Sequence, residues 1–327
     1  AYFICSKKSL ELLARPRNLP AVRKICSPDA YFIDTVFASP PRPCFDPHHP
    51  ETRADDIRNK QELCEMVRRQ GILFGSEEGF EWGVPHADYF EGILSHKKAS
   101  HSRRAEVVIP LFELVYGDAI PMFTHQSDRL SADNADHVLD CILYAEMPVY
   151  EFGNHLYWKR TGPTGGRSEG SADSRPTFAQ GNRFGRADQF IKNTYEVLSP
   201  LNRLTGLLPM TDHRFLTPDR QVETTRFGDN VRITVNYGKD EYKSLDATLP
   251  SHGFVIESPT LAACYATSFR GQSFTRPTLL VIRGLDGRPI ASSGRVRFFR
   301  GFGDRQIHWN GKTIEVDEER IVSPAHP

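Results

Sequence analysis

The sequence predicts an α/β domain followed by an all-β domain: a (β/α)8-type barrel over residues 1–205 and an antiparallel β-sandwich over residues 206–327. Before residue 205, short apolar runs alternate with stretches of helical periodicity, which is the pattern of βα units in a parallel sheet. After residue 205, short strands with alternating apolar residues follow turn signals, which is the pattern of antiparallel sheets.

Six apolar runs are the candidate strands of the first domain. They lie at residues 2–5, 31–37, 72–75, 87–94, 107–117 and 147–153. A closed barrel of this class has eight strand–helix units and about 250 residues. Because the count stops at six and begins at Tyr2, we expect that N-terminal units are missing and that the chain is the C-terminal part of a longer enzyme.

Helical periodicity predicts three helices between and after these strands. They span residues 52–71, 131–147 and 186–206. Thr52 or Asp55 can cap the first helix, and Ser131 can cap the second. Pro200 lies inside the third, where a missing amide and a ring clash predict a bend or a break.

The second domain is predicted from alternation and turns. Val231, Ile233 and Val235 alternate with polar residues, as in a half-buried antiparallel strand. Asp-Gly at 286–287 and Asn-Gly at 310–311 are signals for tight hairpin turns.

The composition favours a neutral partner. Lys and Arg total 41, as do Asp and Glu, so the formal net charge is zero and no basic excess indicates a nucleic-acid binder. No apolar run approaches the roughly 20 residues that span a bilayer. Six scattered cysteines without a C-x-x-C pair argue against a zinc ribbon and are interpreted as buried free thiols.

Carboxylates follow two of the predicted strands. Asp34 ends the run 31–33, while Glu77 and Glu78 follow Ile72-Leu73-Phe74. Ends of neighbouring barrel strands share one rim, about 4.8 Å apart. A retaining glycosidase needs two carboxyl groups about 5–5.5 Å apart, one as nucleophile and one as acid/base. The other reading of these residues is structural: a helix cap or salt bridge for Asp34, and solvated loop charge for the glutamates.

Several phrases of the sequence resemble a known group of proteins. They are YFIDTVFASPPRPCFDPHHPETRADDIRNKQEL, GILFGSEEGFEWGVPHADYFEG, PLFELVYGDAI, HRFLTPDRQVETTRFGDNVRITVNYG and LPSHGFVIESP. The chain resembles uncharacterised bacterial glycoside-hydrolase-like proteins and, more distantly, the endo-α-N-acetylgalactosaminidase and α-N-acetylgalactosaminidase families. The resemblance implies that Asp34 is the nucleophile and Glu77 the acid/base, with Glu78 as the alternative acid/base.

The surroundings of the pair are predicted to separate the two roles. Phe74, Phe80 and Trp82 form an apolar wall that, with Glu78, raises the pKa of Glu77, whereas donors keep Asp34 ionised. Trp82 is also a candidate for stacking on a sugar, although a large aromatic residue is as readily part of the core. Further residues near predicted strand ends are candidate substrate contacts or ordinary loop groups: Tyr116, Asp118, His125, Glu151, His155 and Trp158.

Together these observations predict a retaining glycoside hydrolase acting on a neutral glycoside. Only the resemblance points to the sugar, an α-galactoside or an α-N-acetylgalactosaminide. A two-carboxylate mechanism needs no cofactor, and neither a nucleic acid nor a membrane is an expected partner. Two alternatives stay open: a metal-dependent barrel hydrolase using Asp46, His48 and His49, and a carbohydrate-binding protein without turnover.

Overall fold

The structure, a computed structural model of the chain, describes residues 4–93, 107–125, 130, 134–150 and 186–323. The chain divides into two compact units. The first comprises Ala1–Leu94 and Tyr116–Ser127, and the second comprises Ser95–Val115 and Asp128–Pro327. Across the described ranges, no helix combines the length and the apolar character needed to cross a membrane.

The first unit is built on a small parallel sheet. Its helices are α1 (Ser6–Leu13), α2 (Leu19–Cys26) and α3 (Arg53–Arg68), and its strands are β1 (Ala30–Ile33), β2 (Leu73–Glu77), β3 (Tyr89–Glu91) and β4 (Met122–Phe123). The strands pair in the order β1-β2-β3-β4, all parallel, so their carboxyl ends share one edge. The predicted α/β class of this part is confirmed, and β4 is a strand that the sequence did not predict.

Helix α3 forms where the sequence predicted it because its start signal is local. The Thr52 hydroxyl accepts from the Asp55 backbone N–H, and the Asp55 carboxylate accepts in return from the Thr52 N–H, which completes a capping box. Leu63, Cys64 and Val67 are buried on one face. The helix carries the chain from β1 back to the start of β2, as a parallel pairing requires.

In three of the predicted strands, the residues that the structure describes form no named strand. Residues 4 and 5 lead into α1, and residues 111–116 form the helix α4 (Leu111–Tyr116). Apolar runs of this length do not by themselves separate strand from helix, and Pro110 suits the start of a helix. Residues 147–150 belong to none of the named strands, and the rest of that run lies outside the described residues.

The second unit is dominated by one antiparallel sheet, covered on one side by the helices α5 (Ala135–Leu143) and α6 (Arg186–Thr205). Its strands are β5 (Met210–Phe215), β6 (Val222–Phe227), β7 (Val231–Asn236), β8 (Tyr242–Lys243), β9 (Ala247–Leu249), β10 (Phe254–Glu257), β11 (Leu261–Phe269), β12 (Gln272–Gly284), β13 (Val296–Phe302), β14 (Gln306–Trp309), β15 (Lys312–Glu315) and β16 (Glu319–Val322). Ten of them form a single sheet, ordered β16-β13-β12-β11-β10-β7-β6-β5 with β8 and β9 beside β11, while β14 and β15 form a separate hairpin. The predicted antiparallel C-terminal part is confirmed.

Alternation along the strands buries both faces of this sheet. Ile256 and Val281 face a core shared with α5 and α6, whereas Val255 and Leu280 face a second core that includes residues of the β14–β15 hairpin. The predicted Asn-Gly turn at 310–311 joins that hairpin, with both residues at positive φ.

Two details of the helices differ from the sequence prediction. The N-cap of α5 is Asn134, whose side chain accepts from the His137 N–H at 3.3 Å, and the predicted cap Ser131 lies outside the described residues. Helix α6 continues through Pro200 without a break. Val197, Leu198 and Leu201 around this proline are almost fully buried, and their packing offsets the missing hydrogen bond.

Candidate active site

The carboxyl edge of the parallel sheet collects polar side chains from successive strands. Asp34 directly follows β1, Glu77 is the last residue of β2, and His125 comes two residues after β4. Ile33 is in register with Ser76, so Asp34 and Glu77 occupy the next pair of positions on neighbouring strands. This edge is where parallel βα folds place their active sites.

The carboxyl groups of Asp34 and Glu77 lie close enough to share a hydrogen bond when one of them is protonated. Burial of the carboxyl group and the nearby Glu77 carboxyl raise the pKa of Asp34 above its ordinary value, while His125 acts in the opposite direction. The predicted donors are represented by the Thr35 backbone N–H, which lowers the pKa of Asp34 but is outweighed by burial and by Glu77. Two neighbouring carboxyl groups repel each other when both are ionised, which is why Glu77 raises the pKa of Asp34.

His125 completes the polar group from the fourth strand. Its Nε2 lies 2.7 Å from Glu77 Oε1, and the side chains of Glu77 and His125 are only 17% and 21% exposed. Gly92 makes room for the ring: a Cβ at this position would lie 3.0 Å from His125 Cδ2, and its φ of +85° favours glycine. The Gly92 N–H also donates to the Phe123 carbonyl at 2.8 Å, which holds β3 against β4.

Ser76 holds the loop that carries Asp34. Its buried hydroxyl donates to the Ile33 carbonyl at 2.7 Å and accepts from the Val36 N–H at 3.1 Å. These two bonds bracket Asp34 and attach its loop to β2, next to Glu77. Sequence analysis missed this role, although the serine stands inside the Gly-Ser-Glu phrase that it quoted.

The backbone is strained directly after each of the two carboxylates. Thr35 has a φ of +62°, and Glu78 has a φ of +53°. A β-branched residue in this region is a genuine outlier, and such strain of about 1–3 kcal/mol per residue is concentrated at functional sites. Glu78 is exposed, and its N–H donates to the Glu91 carbonyl at 2.6 Å.

Glu91 is a third carboxylate on the same edge, and sequence analysis missed it. It is the last residue of β3 and is in register with Glu77. Residues in register on neighbouring parallel strands point to the same side of a sheet, about 4.8 Å apart. The signal was present in the run 87–94, where a carboxylate follows Tyr89-Phe90 as Glu77 follows its own apolar run.

The predicted aromatic wall has a different arrangement. Phe74 is fully buried, so it belongs to the core. Trp82 is half-buried, stacks on Phe80 with ring centroids 5.5 Å apart, and meets Phe37 edge-on at 5.3 Å. Trp82 therefore has a structural role, and its exposed part leaves the predicted sugar contact open.

Two other predicted site residues, Tyr116 and Asp118, come before β4 in the chain and not after a strand. They were expected to follow a strand, but Tyr116 is the last residue of α4, and Asp118 lies between α4 and the start of β4. The predicted contacts Glu151, His155 and Trp158 lie outside the described residues.

The residues of the predicted alternative metal site, Asp46, His48 and His49, do not form one ligand group. The Asp46 carboxylate accepts from the His48 N–H at 2.8 Å and lies 3.4 Å from His49 Nε2. Among the described residues, the ligand atoms close enough to share one metal ion are those of Cys5, Cys44 and His49, so His48 and Asp46 are not members of that group.

Comparison with solved structures finds alpha-N-acetylgalactosaminidase NagBb from Bifidobacterium bifidum. Its quadruple mutant matches at a TM-score of 0.54 and 18% identity over 72% of this chain and 33% of that one. Its GalNAc complex matches at a TM-score of 0.52 and 18% identity, over 72% and 34% of the two chains. The ligand-free form matches at a TM-score of 0.52 and 20% identity, over 72% and 33%.

This chain shares its fold with NagBb. The predicted distant resemblance is thus confirmed, and the chain spans about a third of the length of the solved protein. No protein-family model matches the chain, and no curated protein does.

Proposed function

We propose that the protein is a retaining glycoside hydrolase and that Asp34 and Glu77 carry out its double displacement. The observation that carries the proposal is the contact between these two carboxyl groups at the carboxyl ends of adjacent parallel strands. Retention requires a short separation, because one carboxyl group must reach the anomeric carbon while the other reaches the leaving oxygen. A pair held wider apart around a water molecule would favour inversion.

The chemistry needs one ionised and one protonated carboxyl group in the resting enzyme. The repulsion between the two charges favours this state, and it is one of the causes that raise the pKa of Asp34. We assign the nucleophile to Asp34 and the acid/base to Glu77, as the family resemblance implies. His125 holds Glu77 Oε1 at 2.7 Å and keeps this carboxyl group oriented while it gives and takes a proton.

The proposed substrate is a neutral glycoside with an α-linked galactose or N-acetylgalactosamine. The shared fold with an alpha-N-acetylgalactosaminidase and the zero formal charge of the chain support this choice. The four described parallel strands belong, in this proposal, to a (β/α) barrel over residues 1–205, and the antiparallel part belongs to a sandwich.

Leaving-group dependence tests the two roles. Glu77→Ala should cost far more rate on an alkyl glycoside than on an activated aryl glycoside, because a good leaving group needs little protonation. Asp34→Ala should cost at least about 1,000-fold on both substrates, because the covalent step is lost. Glu78→Ala is the matched control, and it should leave both rates nearly unchanged.

The outcomes separate the alternatives. Leaving-group dependence that appears in Asp34→Ala reverses the roles, and dependence in Glu78→Ala moves the acid/base by one residue. Equal losses on both substrates in Glu77→Ala refute its assignment as the acid. A fluorinated glycosyl fluoride that binds without labelling Asp34 or Glu77 supports a carbohydrate-binding protein, and lost turnover in His48→Ala supports the metal-dependent alternative.

A further inference from the structure

Two cysteines and a histidine from separate parts of the first unit meet at one point. Cys5 Sγ and Cys44 Sγ each lie 3.4 Å from the same atom, His49 Nδ1. The three ligand atoms all lie within 4.8 Å of one another, and all three residues are half-buried. None of them belongs to the Asp34–Glu77 pair.

Glu51 holds the two segments that carry these side chains together. Its backbone pairs with that of Cys44 in both directions at 2.9 Å, which closes the loop containing His49. Its carboxylate accepts from the Lys7 N–H at 2.9 Å and from the Ser6 hydroxyl at 3.2 Å, at the start of α1. The positions of the three side chains are therefore set by bonds that do not involve the side chains themselves.

Hydrogen bonding to His49 Nδ1 does not by itself account for the approach of both sulfur atoms. An imidazole nitrogen offers a single direction, either one lone pair or one N–H, so His49 Nδ1 can form a good hydrogen bond with only one of the two sulfur atoms. The other sulfur lies at the same 3.4 Å without a well-directed bond to Nδ1, and within the cluster only the neighbouring cysteine is left to it as a partner. A cation placed on the lone pair of Nδ1 would satisfy all three atoms at once.

We propose that Cys5, Cys44 and His49 bind a zinc ion. Tetrahedral zinc with Zn–S of about 2.3 Å and Zn–N of about 2.05 Å holds sulfur and nitrogen about 3.6 Å apart. The two observed separations of 3.4 Å differ from this value by a shift that binding can supply. Thiolate and imidazole ligands select zinc over the hard cations calcium and magnesium.

Asp46 supports the proposed site from the other side of the ring. Its Oδ2 lies 3.4 Å from His49 Nε2, the position of the carboxylate that orients a metal-bound histidine and selects its tautomer. The ion would link the start of α1 to the loop before α3, a structural role that does not depend on the proposed glycosidase activity. Three protein ligands leave the fourth position to water.

Cobalt(II) is the probe, because it replaces zinc and reports its ligands by absorption. The reduced, metal-free full chain should bind about one equivalent, with the intense near-ultraviolet bands of cobalt–thiolate bonds and visible bands of tetrahedral cobalt. Added zinc should displace the cobalt and remove both sets of bands. Cys44→Ser should weaken binding by more than about 100-fold, and Asp46→Asn should weaken it by about 10-fold to 100-fold.

Cys26→Ser is the matched control, because Cys26 is an exposed free thiol outside the cluster. It should leave the cobalt spectrum and affinity unchanged. Spectra without thiolate bands, or the same loss of affinity in Cys26→Ser as in Cys44→Ser, would overturn the proposal. Formation of a Cys5–Cys44 disulfide by a protein that takes up no metal when reduced would also overturn it. Asp46→Asn provides the comparison if Cys44→Ser does not fold.

Discussion

Replacing Asp34 with asparagine should stabilise the first unit while it removes the proposed nucleophile. Burial of the carboxyl group, followed by the charge of the neighbouring Glu77, raises the pKa of Asp34 above its ordinary value of 3.8, so the ionised pair is costly in the folded protein. Two charges 4 Å apart repel by about 1 kcal/mol in bulk water and about 4 kcal/mol near a protein surface. Because Asp34 is an exposed residue, we take the lower figure, about 1 kcal/mol.

The stability gained by Asp34→Asn should depend on pH, in a direction that follows from the raised pKa of Asp34. A carboxyl group whose pKa is raised in the folded state loses stability as pH rises from the ordinary value towards the raised value, since the unfolded chain ionises first. Asparagine does not titrate. The advantage of Asp34→Asn should therefore be small near pH 4 and should reach about 1 kcal/mol by pH 7.

Amide hydrogen exchange of strand β2 measures this effect within the first unit. A gain of about 1 kcal/mol slows exchange through unfolding about fivefold in a peptide covering residues 72–77, compared at equal pH. Glu78→Gln removes a neighbouring carboxylate that is exposed and should change exchange little. Faster exchange in Asp34→Asn at pH 7, or an equal change at pH 4 and pH 7, would refute the reasoning.

Three further predictions concern other contacts. Gly92→Ala would place a Cβ 3.0 Å from the His125 ring at a φ of +85°. It should destabilise the protein by about 1–2 kcal/mol and shift the NMR resonances of the His125 ring. Unchanged resonances would contradict the contact. Thr52→Ala removes the capping box of α3 and should lower the free energy of unfolding in urea by about 1 kcal/mol. Thr52→Ser keeps the hydroxyl and should retain most of that free energy. Equal losses in the two variants would show that the cap is not the cause. Burial, followed by the charge of Glu113, raises the pKa of Glu146 far above its ordinary value of 4.5, so wild-type stability should fall as pH rises from about 4.5. Urea midpoints of Glu146→Gln should show a flatter pH dependence than those of the wild type, and parallel curves would show that this carboxyl group does not titrate as described.

Elements with local signals could be predicted from the sequence. Strands β1, β2 and β3 stand where apolar runs end in polar residues, and α3 begins at the capping box that its own residues form. The antiparallel part follows from alternation and from the Asn-Gly turn. In each case the residues that decide the structure are within a few positions of one another, so the pattern is complete in one stretch of sequence.

Elements that depend on distant partners could not be predicted. The run at 2–5 was predicted to be a strand, but its described residues lead into α1. The start of that helix is held by Glu51, 45 residues from Ser6, whose carboxylate accepts from the Ser6 hydroxyl and the Lys7 N–H. The apolar run at 107–117 is compatible with strand or helix, and the sequence pattern alone did not distinguish them.

The candidate site divides in the same way. Asp34 and Glu77 could be proposed from the sequence because parallel strands bring their carboxyl ends to one edge whatever joins them. His125 contacts Glu77 from 48 residues away, and Cys5 comes close to Cys44 and His49. Both contacts depend on how distant segments pack, which no local sequence pattern indicates. Periodicity and capping act within a few residues, whereas these contacts exist only after the strands have paired and the loops have closed, which is why only the tertiary structure decided them.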